Sequence, residues 1–247
     1  MRSSRWGYLW GVVLLLVLWQ LCAWQVGEAV LAGPLTVASK LVTEAQTGKF
    51  WEHIGSSSLR IFAALLISFC TAVPLGLVLG SNPRLDRLVK PLIYLTYPVP
   101  KIVFLPLVLL IFGLGNLGKI AMLSIILFFQ LLITTRDAAR GVSRSARYSL
   151  HSLGGTRRHL FIHVIWPSSL PAVFTALRIA TGTVVAVLFF VESIGTRYGM
   201  GYYILDAWSR ADVPRIFVGI VVLALLGVSL YETFDILERV FCRWHQL

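Results

Sequence analysis

An all-α integral membrane protein, with six transmembrane helices and both termini in the cytoplasm, is predicted by three observations. The 247 residues are 57% hydrophobic and 13% charged, with a mean hydropathy of +0.79. A soluble domain carries about a quarter charged residues, and the deficit runs along the whole chain. Six apolar stretches, at about 8–24, 61–80, 92–112, 119–135, 173–193 and 216–235, approach the ~20 residues that cross ~30 Å of hydrocarbon. Finally, six spans put both ends on one side. Thirteen Lys and Arg then fall in segments on the side of the termini, against seven on the other. Cytoplasmic loops are the ones enriched in Lys and Arg.

The net charge of +11 is accounted for by the same loops. The basic residues sit between apolar runs instead of along one face, so no nucleic-acid partner is expected. Cys22, Cys70 and Cys242 are odd in number and far apart, without a CxxC pair. They read as structural filler, with no disulfide framework and no metal site.

The first stretch, YLWGVVLLLVLWQLCAW, follows Arg2 and Arg5 as a signal peptide would. It lacks a small-x-small cleavage site and carries tryptophans at both ends, so it is expected to be a retained helix. In the second span Pro74, and in the third Pro98, Pro100 and Pro106, predict kinks that neighbouring helices can satisfy.

Between the third and fourth spans lies GLGNLGKI, Gly113 to Ile120, which resembles the start of a P-loop. A working P-loop follows a strand and needs Ser or Thr after the lysine to hold Mg²⁺, and here Ile120 follows. The orientation places this turn outside, away from any ATP. It is expected to be a tight inter-helix turn with Lys119 at the membrane interface, and the chain is expected not to hydrolyse nucleotide.

Residues 136–171 form the one long cytoplasmic connection. A loop of that length in a compact protein is usually functional. Its first part is rich in helix formers, and Gly154-Gly155 breaks it, because glycine enters positive φ without a Cβ penalty. Thr156 is placed to cap a second short helix, RRHLFIHVIW, that Pro167 is expected to end. Leu150, Leu153, Leu160, Phe161 and Ile165 are then available for docking. An amphipathic hairpin resting on anionic lipid explains the arginines but neither the double glycine nor the proline at a fixed distance beyond it.

At these residues the chain resembles the membrane subunits of bacterial ABC importers with the type I fold. Their loop carries Glu-Ala-Ala, three residues, Gly, nine residues, Ile, one residue, Leu-Pro. Gly154, Val164 and Trp166-Pro167 match that spacing, whereas Tyr148-Ser149-Leu150 replaces Glu-Ala-Ala. YPVPKIVFLPLVLLIFGLGNLGKI resembles the Pro-x-Pro-Lys segment and third span of the nitrate, taurine and alkanesulfonate branch. SSLPAVFTALRIA, FFVESIG and LERVFCRW agree in character and spacing.

The resemblance implies a division into a first helix with its periplasmic segment (1–55), a transmembrane core (56–238) that contains the coupling loop 136–171, and a cytoplasmic tail (239–247). It implies a multi-pass protein of the bacterial cytoplasmic membrane that is not an enzyme and binds no cofactor. ATP and Mg belong to a partner ATPase dimer, which would meet Leu153, Gly154, Gly155, Thr156 and Arg157, with Pro167 closing the motif. A periplasmic or lipid-anchored binding protein would reach Arg197, Tyr202, Tyr203 and Arg210, on a segment expected to lie along the interface. A second permease chain, identical or a sibling, completes the pathway.

Intramembrane ionisable residues are functional candidates by default. Lys101, expected near the inner third of the third span, Gln130 and Glu192 are therefore expected to border the pathway. For Lys101 the alternative is snorkelling to headgroups, and for Glu192 it is packing beside Ser193 and Gly195. The branch implies a small oxyanion such as a sulfonate, taurine, nitrate or bicarbonate, although importers of thiamine precursors and aromatic acids share the pattern. A stand-alone secondary transporter or channel would commonly show inverted repeats, and none is visible. A membrane scaffold remains a third reading.

Overall fold

A computed structural model describes residues 5–245. Helix α1 spans Arg5–Val26, α2 Pro34–Ala45, α3 Gly48–Ser81, α4 Pro83–Thr96, α5 Leu105–Phe112 and α6 Asn116–Gly141. Then follow α7 (Arg144–Ser152), α8 (Arg157–Leu160), α9 (Trp166–Glu192), α10 (Met200–Ser209) and α11 (Val213–Phe241). No strand occurs among the described residues.

The six expected spans are matched in part. Four segments are long and apolar enough to cross a membrane: Gly48–Ser81, Asn116–Gly141, Arg157–Glu192 and Val213–Phe241. A fifth counts only if α4 and the Lys101–Phe112 segment, bent by 79°, are one span, and the apolar part of α1, Trp10–Val26, is shorter. The third expected span is thus two pieces. Val99, which precedes Pro100, is biased away from helical geometry, and Pro98 and Pro100 carry no N–H to continue the ladder. The backbone leaves the helix after Tyr97 and resumes as a 3₁₀ turn at Lys101–Phe104.

The core sits where α3, α6, α9 and α11 pack. Leu65, Val73 and Leu77 of α3 meet Leu123, Leu127 and Leu131 of α6, with Val173, Leu177 and Val184 of α9 and Val218 and Leu223 of α11. Between α3 and α6 the backbones come close, because a Cβ on Gly80 would stand 2.2 Å from the Arg136 carbonyl oxygen. Small residues at such crossings let van der Waals packing associate helices in lipid. Outside the core, apolar side chains such as Leu66, Leu107 and Leu110 stay exposed, as suits a surface solvated by hydrocarbon.

α3 begins well before the expected span at 61–80. Its first turns carry Lys49, Glu52, His53 and Arg60, which a hydropathy reading excludes, and the helix holds because Arg60 finds a carboxylate inside the fold. Arg136, expected in the inner loop, lies within α6, buried and paired with Asp86 of α4. Lys119, expected at the membrane interface, is enclosed by its own chain. It is 1% exposed, and its ammonium donates to the carbonyls of Leu114 and of Gly195, the latter at 3.3 Å.

Candidate functional site

The α7–α8 turn is built as its local chemistry dictates. The Gly154 N–H donates to His151 O and the Gly155 N–H to Leu150 O, both at 3.0 Å. This crossed pair satisfies the last carbonyls of α7, and it requires the left-handed φ of +74° at Gly154. Leu153, beside it, is 84% exposed. Thr156 then caps α8: its hydroxyl accepts from the His159 N–H, and His159 Nδ1 accepts from the Thr156 N–H. Thr156 and Arg157 are exposed, Gly155 half-buried. Leu153, Gly154, Gly155, Thr156 and Arg157 therefore form one compact protrusion.

Pro167 does not end the second helix. A π turn at Phe161–Ile165 runs straight into α9, whose first turn contains Pro167. The Trp166 N–H bonds back to Phe161 O. Widening the turn ahead of a proline takes up the missing N–H and the ring's bulk without breaking the helix. The protrusion is consequently continuous with a core helix. Ile165, expected to be free for docking, is buried, and Leu160 and Phe161 pack on the core.

At the opposite end of the bundle lies a buried polar cluster. Arg60 Nη1 stands 2.5 Å from Glu192 Oε1, with side chains 5% and 0% exposed. The Glu192 carboxylate also accepts from Ser57 Oγ at 2.9 Å and from the Gly201 N–H at 2.8 Å. Arg60 reaches Asn116 Oδ1 through Nε and Tyr198 O through Nη1. Four segments, α3, α6, α9 and the turn before α10, thus meet at one ion pair. Glu192 fills the interior of the chain, so it does not share a surface with Lys101 and Gln130.

Lys101 and Gln130 do come together. They border a cavity of about 470 Å³ with Tyr97, Phe129, Thr183 and Val187. The Lys101 ammonium donates to Thr96 O and Tyr97 O at 3.2 Å and Val99 O at 3.4 Å, and lies 4.5 Å from the Phe129 ring centroid. It caps the carbonyls orphaned where α4 stops. Gln130 lies toward the Arg136 end of the apolar run 119–135.

The outer segment forms α10 and packs inward with Met200, Gly201, Tyr203 and Ile204 buried. Arg197 and Arg210 are exposed and Tyr202 half-buried, whereas Tyr203 is 1% exposed and offers no surface. The Tyr203 ring packs edge-on to Phe50 and His53, under the Arg215 guanidinium at 4.6 Å. Burial holds its phenol above the ordinary value. Its inward packing had no local signal, because an aromatic at the start of a Gly-flanked helix serves an interface or a core equally well.

The comparisons agree with this architecture. The profile of the family described as "Binding-protein-dependent transport system inner membrane component" matches residues 72–242. The formylaminopyrimidine transport permease protein ThiX of Halalkalibacterium halodurans is 27% identical over 235 residues, 95% of this chain and 94% of its own length. The taurine transport system permease protein TauC of Escherichia coli is 29% identical over 94% of this chain and 87% of its own length. The putative aliphatic sulfonates transport permease protein SsuC of the same organism is 29% identical over 99% and 93%. In fold, a chain of the MetNI methionine ABC transporter in an inward-facing conformation aligns at a TM-score of 0.65 with 18% identity, covering 76% of this chain and 94% of that one. With more than half its length matched, the chain belongs to the family of inner membrane components of binding-protein-dependent transport systems, the permeases of ABC importers.

Proposed function

We propose that this permease passes a small solute across the bacterial cytoplasmic membrane, driven by a separate ATPase dimer that docks on the turn around Gly154. The observation that carries this reading is the exposed Leu153–Arg157 protrusion, held rigid by its crossed hydrogen bonds and running without a break into α9. A push on such a stub moves a core helix, which a floppy loop could not do. ATP and Mg stay with the partner, and both termini of this chain face the cytoplasm. Arg157 adds charge complementarity of about 0–1 kcal/mol at an exposed rim, so shape dominates the contact. A solute-binding protein meets the opposite end, where Arg197, Tyr202 and Arg210 offer surface, and a second permease chain closes the pathway.

The cargo is a small oxyanion of the sulfonate, taurine, nitrate or bicarbonate kind. The second reading, a thiamine precursor, is favoured by the similarity to the formylaminopyrimidine permease, which covers as much of the chain as the likeness to the taurine permease.

The test is Gly154→Val in the assembled transporter. The wild type should co-purify with a stoichiometric soluble ATPase, and the variant should reach the membrane yet lose transport-coupled ATP hydrolysis. Uptake at the wild-type rate by the variant, or uptake by the isolated chain with no ATPase, would overturn the reading.

A further inference from the structure

The cations embedded in this bundle are matched by carboxylates: Arg60 by Glu192, Arg136 by Asp86, Arg178 by Asp235 and Glu238, and Arg215 by Glu44 and Asp206. Lys119 has no carboxylate within ion-pair distance among the described residues, but it is enclosed by its own chain. Lys101 differs from all of these. It is half-buried, among the described residues no carboxylate lies within ion-pair distance, and it stands on the rim of an open cavity. Its three carbonyl contacts hold the ammonium in place without cancelling its charge. At hydrocarbon depth an uncompensated cation costs several kcal/mol unless water or an anion reaches it. Non-helical backbone such as 97–100 is likewise tolerated at that depth where it lines a cavity.

The remaining walls define what fits. Gln130 supplies amide donors, Thr183 a hydroxyl, and Tyr97, Phe129 and Val187 an apolar flank. From this geometry we infer that the Lys101 cavity is an anion station: the Lys101 charge draws in the head of a small organic monoanion, Gln130 and Thr183 donate hydrogen bonds to it, and the carbon body lies against Phe129 and Val187. This rests on the permease reading and deepens it, because a one-point cation beside an apolar wall suits a sulfonate or carboxylate with a carbon body better than a fully hydrated inorganic ion. It also makes Lys101 a specificity-determining residue placed where the third span breaks.

The station can be tested without knowing the cargo. In the full transporter, with Cys22→Ser and Cys70→Ser, a thiol is placed at the cavity by Gln130→Cys. Its rates are measured with two methanethiosulfonates, one bearing an ethylsulfonate and one an ethyltrimethylammonium group. Normalised to a free thiol, the anionic reagent should be favoured about tenfold, the size of a nearby partly screened unit charge. Lys101→Gln should bring the ratio to about one, and Lys101→Arg should keep it. Thr183→Cys repeats the measurement should Gln130→Cys fail to assemble. A ratio unchanged by Lys101→Gln overturns the inference, as does silence of both thiols to both reagents. The Gly154→Val experiment is blind to Lys101, and the labelling ratio needs neither cargo nor ATP, so failure of one reading is distinguishable from failure of the other.

Discussion

Arg60 and Glu192 form an enclosed ion pair 132 positions apart in sequence, and the Glu192 carboxylate also accepts hydrogen bonds from Ser57 and Gly201. The pair ties the start of α3 to the end of α9, on the side of the bundle opposite the α7–α8 turn. Removing one partner strands a buried charge, which costs about 3–5 kcal/mol. Glu192→Ala and Arg60→Ala should each destabilise the detergent-solubilised protein by about that much. The double variant should cost clearly less than the sum, because neither charge is then left alone. A thermal-unfolding double-mutant cycle measures this, and strict additivity would show that the two side chains do not act as a pair.

The α3–α6 crossing makes a second expectation. At Gly80 an added Cβ meets the Arg136 carbonyl oxygen at 2.2 Å and Ala139 Cβ at 2.8 Å, and neither is the far end of a flexible side chain. Gly80→Ala should therefore separate the helices and disturb the Arg136–Asp86 pair beneath. A loss of about 1–3 kcal/mol is expected from overpacking, read as a lowered Tm. An unchanged Tm would mean that the two backbones are farther apart than described.

The α7–α8 turn, proposed as the ATPase contact, should respond differently. An alanine Cβ at Gly155 would sit 2.5 Å from Leu150 Cγ and 2.8 Å from Leu150 O, whereas at Gly154 it meets open space but a φ of +74°. Gly154→Ala carries a left-handed strain of about 1–2 kcal/mol. Gly155→Ala has no such strain but must push Leu150 aside, side chain and carbonyl alike, and so weaken the hydrogen bond that holds the turn. Both proteins should still fold with at most a small drop in Tm, because α7 has no buried residue and the turn can relax locally. ATPase co-purification should fall, more for Gly155→Ala than for Gly154→Ala. Full ATPase recovery with both variants would remove the turn from the interface.

What the sequence made visible was local. Gly154-Gly155 followed by Thr156 identifies a turn and a cap from neighbouring residues alone, and the structure realises both. The broken third span was not visible, because an apolar average over 92–112 reports composition and not direction, and the prolines there read only as kinks. The start of α3 was hidden for the opposite reason: His53 and Arg60 look like part of a polar flank until their contacts on distant segments are known. One signal was present: a lone arginine and a lone glutamate bordering apolar runs at the same end of the bundle. Lys119 gave none, since its acceptors are main-chain carbonyls. Pro167 misled because its motif position says nothing of the π turn that absorbs it.

Sidedness can be read from a single thiol at the tip of the turn. With Cys22 and Cys70 replaced by Ser, the native thiol left is Cys242, which is 1% exposed. Burial, assisted by the nearby Glu238 carboxylate, pushes that thiol above its ordinary value, so at pH 7 it holds even less thiolate than a free cysteine and is shielded as well. Leu153→Cys, at a position 84% exposed, should behave as a free thiol with a pKa of about 8.5. A membrane-impermeant maleimide at pH 7 should label Leu153→Cys in inside-out vesicles and leave it untouched in right-side-out ones. Raising the pH to 8 should speed that reaction several-fold, while Cys242 should react only after denaturation. Labelling from the exterior would put the turn beyond reach of any cytoplasmic ATPase.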